Sequence, residues 1–213
     1  MHSQGNLPQN QASINDNPLP YFMAMIESID FQIGEIKAAM TPEDFDNTTI
    51  VILGDNGSPG SVAQAPFNGR AKGNLHQGGV NTPMIVSGKS VTRQNARESA
   101  LINSTDLFTT FLNIAGSNIT EMNNSKSFEH LLTGSAGENR EFVYAEVSGT
   151  NNSGYTIRNE QYKLIVNEGS PNFFYDLLAD PEEATNLLSG GGLTDEQQAA
   201  RSALAAEANA IRQ

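Results

Sequence analysis

No cysteine occurs among the 213 residues, which excludes disulfides and thiolate metal sites and leaves the redox compartment open. Basic side chains are scarce as well: 12 Lys and Arg stand against 24 Asp and Glu, for a formal net charge of -12. A chain this acidic is not built to grip nucleic acid phosphates in general, and an anionic ligand would need a local cationic site. Most of the negative charge reads as solvated surface. No stretch approaches the ~20 consecutive apolar residues of a membrane span, and residues 1–17 lack the apolar run of a signal peptide. Nothing in these residues directs the chain to a membrane or across one. Internal repeats and low-complexity segments are also lacking. With 38% hydrophobic and 17% charged residues, the composition fits one folded domain, or one domain with a small appendage.

The first twenty residues are rich in Gln, Asn and Pro without an apolar period, and irregular structure is expected there. From Tyr21 onward, Phe22, Met25, Ile26, Ile29, Ile33, Ile36 and Met40 recur at steps of three and four. That spacing predicts an amphipathic helix with one buried stripe, closed by Thr41-Pro42. Thr48-Thr49-Ile50-Val51-Ile52-Leu53 is apolar, β-branched and uncharged, as in a strand buried on both faces, and it runs into Gly54-Asp55-Asn56-Gly57. A helix followed by such a strand predicts an α/β fold with a mainly parallel sheet, whose ligands bind beyond the carboxyl ends of the strands. Asp55 and Asn56 stand at such an end.

Residues 58–79 form a long polar, Gly-rich connection of the kind that often carries function, and Pro83-Met84-Ile85-Val86 reads as a second buried strand. Asn103-Ser104-Thr105-Asp106 offers caps for a helix through Leu107, Phe108, Phe111, Leu112 and Ile114 that Gly116 ends. Beyond about Gly137, short strand-like runs at residues 142–147, 155–158, 162–166 and 173–175 predict a small antiparallel sheet. Thr194-Asp195-Glu196-Gln197 then has the pattern of a capping box ahead of an Ala-rich helix.

Asp55 and Asn56 offer one carboxylate and one amide oxygen, hard donors suited to Ca²⁺ or Mg²⁺, although Asp-Asn-Gly is equally the sequence of a turn. Downstream, Arg70-Ala71-Lys72-Gly73-Asn74-Leu75-His76-Gln77-Gly78-Gly79-Val80-Asn81-Thr82-Pro83 resembles the sulfatase pattern, in which a lysine and glycine precede a paired Gly-Gly and a proline-led strand. Glu27, Asp30 and Gly34, Ser104-Thr105-Asp106-Leu107, Ala115-Gly116, Tyr162-Lys163-Leu164, Tyr175-Asp176-Leu177, Asp180-Pro181-Glu182-Glu183 and Asn186-Leu187 extend the likeness over residues 21–188. It is to arylsulfatases, members of the alkaline phosphatase superfamily.

The resemblance implies an alkaline-phosphatase-like fold that hydrolyses sulfate esters, with residues 1–136 as the C-terminal part of the α/β core and residues 137–213 as a small α+β subdomain. By match of motif, Asp55 and Asn56 would be ligands of Ca²⁺, with Mg²⁺ as second choice, and Asp55 would also influence the protonation of the nucleophile. Lys72 would contact the sulfate oxygens. His76, where the family often has an aromatic residue, would stand at the pocket rim and touch substrate, although a lone His in a polar loop is equally a solvated one. Gln77 replaces a frequent Glu. His2 is a further tempting residue, because family members carry a site histidine upstream of this helix.

The family's nucleophile is a formylglycine made within Cys/Ser-x-Pro-x-Arg, and no such segment exists in these residues; Ser170-Pro171 lacks both the spacing and the arginine. The expectation is therefore a partial enzyme, inactive alone, whose partners are a sulfated small molecule or saccharide and the missing N-terminal half of a parent protein. Two other readings stay open: a non-catalytic binding module that kept the fold, and a phosphate or phosphonate ester hydrolase of the same superfamily. Such relatives are often periplasmic or secreted, which leaves the localisation of this chain open.

Overall fold

The computed structural model describes residues 3–149 and 153–213, so His2 lies outside the described residues. The N-terminal segment is more regular than its composition predicts. Asn10 accepts the Ser13 N–H at 2.9 Å and caps a short helix, α1 (Gln11–Asp16). Pro18 then opens α2 (Pro18–Ala39), at a first-turn position where a missing N–H costs nothing. Met40 is extended, and Thr41 caps α3 (Pro42–Asp46).

The strands β1 (Thr49–Leu53) and β2 (Met84–Gly88) form a two-stranded sheet in which Thr49 faces Gly88 and Leu53 faces Met84. The α/β class holds; the sheet was expected to be mainly parallel, and these two strands are an antiparallel pair. A parallel partner needs a crossover that carries the chain back to the starting end. Residues 54–83 contain only the one-turn helix α4 (Gln77–Val80), so the chain re-enters at the end it left.

The α2 stripe keeps its helical spacing but not its expected burial. Ala24 is the one buried residue of the helix, while Met25, Ile29 and Ile36 are 63%, 57% and 60% exposed. β1 is half-buried rather than enclosed on both faces, and Ile85 of β2 is exposed. Between Ile33 and Ile36 of the helix, Met40 just beyond it, and Ile50 and Ile52 of β1 lies an open groove of about 350 Å³. The amphipathic pattern is present; nothing among the described residues covers it.

Asn103 and Asp106 make a reciprocal cap ahead of α5 (Leu107–Ile114), which ends before Gly116 at φ +93°. A two-residue hairpin, β3 (Glu121–Met122) with β4 (Ser125–Lys126), and α6 (Glu129–Thr133) follow. Asp106 is buried and receives the Arg140 guanidinium, tying this segment to the residues that lead into the C-terminal sheet.

β5 (Val143–Val147), β6 (Gly154–Arg158), β7 (Tyr162–Asn167) and β8 (Phe173–Asp176) form the expected antiparallel sheet, in sequence order. The capping box at Thr194 starts α7 (Asp195–Ile211), whose Leu204 and Ala208 are fully buried against Ile157, Leu164 and Phe174. Each large side chain buried there contributes about 1.5 to 3 kcal/mol. The opposite face of β7 and β8 is also covered: Ile165, Tyr175 and Leu177 pack around Leu75, which comes from the long connection after β1. The sheet therefore grips that connection directly. No helix among the described residues is long and apolar enough to cross a membrane.

Candidate functional site

The turn after β1 and the Lys72 turn are laced together by main-chain hydrogen bonds. Gly54 N–H donates to Pro83 O at 2.9 Å, Gly57 N–H to Gly79 O at 3.1 Å, and Lys72 N–H to Ser58 O at 3.0 Å. The glycines permit this approach. A Cβ at Gly57 would fall 2.0 Å from Gly78 O, and one at Gly79 would fall 1.9 Å from Asn74 O. The segment that follows Asp55 and Asn56 is thus tied through its backbone to the turn that carries Lys72. Asp55 and Lys72 are exposed, and Asn56 is half-buried on the wall of a cleft of about 470 Å³ lined also by Ser58, Val62, Phe67, Gln77 and Thr82.

The donor set is compatible with a hard cation but does not enclose one. The Asp55 carboxylate makes no hydrogen bond or ion pair among the described residues, and the Asn56 amide nitrogen donates to Gly57 O, leaving its oxygen unengaged. A calcium ion takes roughly six to eight oxygens. Among the described residues no group of three or more His, Asp or Glu side chains could hold a metal ion. Asp55 and Asn56 can supply two ligands, and the remainder would have to come from elsewhere.

His76 is placed differently from its expected position at the pocket rim. It is only 7% exposed, because its ring turns inward against the edge of Phe173 and beside Tyr175. Its Nδ1 meets Asn74 Oδ1 at 2.5 Å, and its Nε2 meets the Tyr175 hydroxyl at 3.1 Å. Substrate contact would require breaking these bonds. Burial, then the Arg70 guanidinium and the Lys163 ammonium, push the imidazole down from its ordinary value of 6.5 to about 4, so the ring is neutral at physiological pH.

Beneath the same turn lies a cluster that sequence reasoning missed. Lys163 and Glu183 are both fully buried, with Nζ and Oε1 at 2.6 Å. Glu183 Oε2 accepts the Gln77 N–H at 2.8 Å, Lys163 donates to Gln77 Oε1 at 3.3 Å, and Arg70 donates to the Glu183 carbonyl at 2.5 Å. Burial pulls the Lys163 ammonium down from 10.5 to about 8 against the pull of Glu183, so it stays charged at neutral pH. One signal was available: Tyr162, Leu164 and Val166 share one face of β7, leaving Lys163 beside Ile165 on the other, in a strand too apolar for an unpaired charge.

Comparisons with known proteins follow this geometry. Residues 2–117 match the family model described as Sulfatase, and residues 70–210 match that described as N-sulphoglucosamine sulphohydrolase, C-terminal. Arylsulfatase K of Gallus gallus is 26% identical over 179 residues, covering 78% of this chain and 33% of the relative. The chain spans about a third of the length of the arylsulfatase K relatives it matches. The solved structure of BT4656 in complex with its substrate D-glucosamine-2-N,6-O-disulfate superposes with a TM-score of 0.74 at 22% identity, over 98% of this chain and 44% of that one. A phosphonate monoester hydrolase of Agrobacterium radiobacter superposes at 0.67 with 20% identity, over 91% and 40%. The two superpositions share a fold across different esters.

Proposed function

Because this chain belongs to the sulfatase family, we propose that it forms one wall of a metal-dependent sulfuric ester hydrolase site. Asp55 and Asn56 would be two of the oxygen ligands of a Ca²⁺ ion, and Lys72 the cation that faces the sulfate. The observation that supports this reading is the Lys72 N–H bond to Ser58 O, which ties the backbone of the lysine to the segment just after Asp55 and Asn56. When bound, a divalent cation supplies positive charge against the ester oxygens. An ammonium at Lys72 would offset charge on the sulfuryl group in transit, and such fixed electrostatic stabilisation is usually the largest catalytic contribution.

The nucleophile and the remaining metal ligands would come from the N-terminal part of a longer sulfatase. That part would also cover the apolar stripe of α2 and the exposed face of β1 and β2, a patch too extended for a protein working alone. A chain spanning a third of its relatives leaves ample length for such a partner. The substrate class would be a sulfated saccharide or small aryl sulfate, the first favoured by the disulfated glucosamine bound in BT4656.

The test has two arms. The purified chain should not turn over a chromogenic aryl sulfate, and turnover that a chelator abolishes would overturn the partial-enzyme reading. In a protein completed with an N-terminal sulfatase segment, Asp55→Ala should lower metal content and activity together. Normal metal and activity in that variant would remove Asp55 from the site, and preference for an aryl phosphonate ester would replace sulfate by phosphonate.

A further inference from the structure

Resting on the reading of Lys72 as the sulfate-facing cation, we propose that Glu183 is a positioning residue for it. The Glu183 carboxylate holds the turn that carries Lys72 in register with Asp55 and Asn56. This turn is anchored on two sides. On one, Lys72 N–H and Gly79 O bond the segment just after β1. On the other, the Glu183 carboxylate takes the Gln77 N–H, five residues beyond Lys72, while its main-chain oxygen takes the Arg70 guanidinium, two residues before. Lys163 closes the arrangement by binding the side chains of both Glu183 and Gln77.

Three features set this arrangement apart from ordinary packing. Glu183 sits at φ +58°, a left-handed conformation that a non-glycine residue keeps only when its surroundings over-determine it. The Asp180 carboxylate imposes that turn by accepting the N–H groups of Ala184 and Thr185 at 3.0 and 2.7 Å. Finally, a buried ion pair is no better for stability than well-packed apolar side chains would be, so its use here is consistent with fixing one geometry. The geometry it fixes is that of the turn, since the carboxylate oxygen not facing Lys163 is spent on the Gln77 amide.

Hydrogen exchange of backbone amides in the 213-residue chain, followed by NMR, separates positioning from simple stabilisation. In Glu183→Gln, the amides of Gly57 and Lys72 should exchange faster by at least about tenfold beyond the factor that the loss of global stability sets at the β6–β7 ladder, the signature of a local opening. Unchanged protection at Gly57 and Lys72 overturns the proposal, and so does an equal acceleration throughout the chain, which would mean global stability alone. Should Glu183→Gln fail to fold, Lys163→Met combined with Glu183→Gln removes both charges together. The same selective acceleration is then expected, and wild-type protection at Lys72 refutes the proposal.

Inorganic sulfate titrated into the same samples gives a second readout. A shift of the Lys72 amide should appear in the wild type and require several-fold more sulfate in Glu183→Gln. An equal response in both, with Lys72 exchange accelerated, would mean that the loosened turn does not matter to the anion and would overturn the positioning role. No response in the wild type would instead count against the sulfate-facing assignment of Lys72, with the exchange pattern still deciding whether Glu183 holds the turn.

Discussion

Acidification should weaken this fold through His76 in particular, and the size of the effect follows from the ring's surroundings. In the unfolded chain an imidazole takes up its proton near 6.5; in the folded chain burial and two nearby cations hold it to about 4. Between those values the unfolded state binds more protons, so stability is complete above about pH 6.5 and is lost as the pH falls toward 4. At about 1.4 kcal/mol per pH unit, the difference is worth roughly 2 to 3 kcal/mol by pH 4.5. Phenylalanine cannot titrate and suits a site already lined by Phe173 and Tyr175, so His76→Phe is the comparison. Urea unfolding at pH 7 and 4.5 should show the variant losing about 2 kcal/mol less than the wild type over that interval. Because the 24 acidic residues titrate in both proteins, only the difference between them counts. Equal losses would refute the assignment of a neutral, buried imidazole.

Further outcomes follow from the same packing. Glu183→Gln alone leaves Lys163 buried without its carboxylate and should cost about 3 to 5 kcal/mol in denaturant unfolding, whereas Lys163→Met with Glu183→Gln should recover most of that; equal losses would show that the two charges do not act as a pair. Gly79→Ala forces a Cβ onto Asn74 O and should cost about 3 kcal/mol, with calorimetry as the check; a neutral result would mean that the turn can shift without penalty. The exposed apolar face should make the isolated chain self-associate, and Ile29→Glu with Ile85→Lys should reduce the association in light scattering. A wild-type chain that stays monomeric at high concentration would show that this face needs no cover.

Local patterns were legible in the sequence and long-range partnerships were not. The four strands of the C-terminal sheet lie within a residue or two of their expected bounds, because each carries its own alternation and its own turns. The helix of residues 18–39 was visible in its apolar spacing, but spacing says only which face seeks cover, not whether cover is present. The direction of the first strand pair was not legible for a related reason: an apolar run reads the same in either direction, and the return path through residues 54–83 decides it. His76 reads as solvated among Gly, Asn and Gln, yet its partner Tyr175 stands 99 positions away. The Gln77 amide finds Glu183 at a separation of 106. No local window contains such a pair.

The buried cluster also explains how the Lys72 region, a polar, Gly-rich connection expected as a loop, is held by hydrogen bonds on two sides. A catalytic cation on a long side chain stabilises a transition state well only if it is already in place, since reorganising it during reaction would forfeit the electrostatic gain. A lysine carries substantial side-chain freedom of its own, so the backbone beneath it is where order has to be imposed. Here one side of that backbone is bonded to the segment just after β1, and the other to a buried charge pair against the C-terminal sheet. On the reading of Lys72 as the sulfate-facing cation, the C-terminal sheet belongs to the site, because it fixes the turn without supplying a group that touches the ester. Removing that sheet while keeping Asp55, Asn56 and Lys72 should therefore abolish sulfate binding at Lys72 as completely as replacing the lysine. Retained binding in a folded protein without the sheet would show that the outward anchor alone is enough.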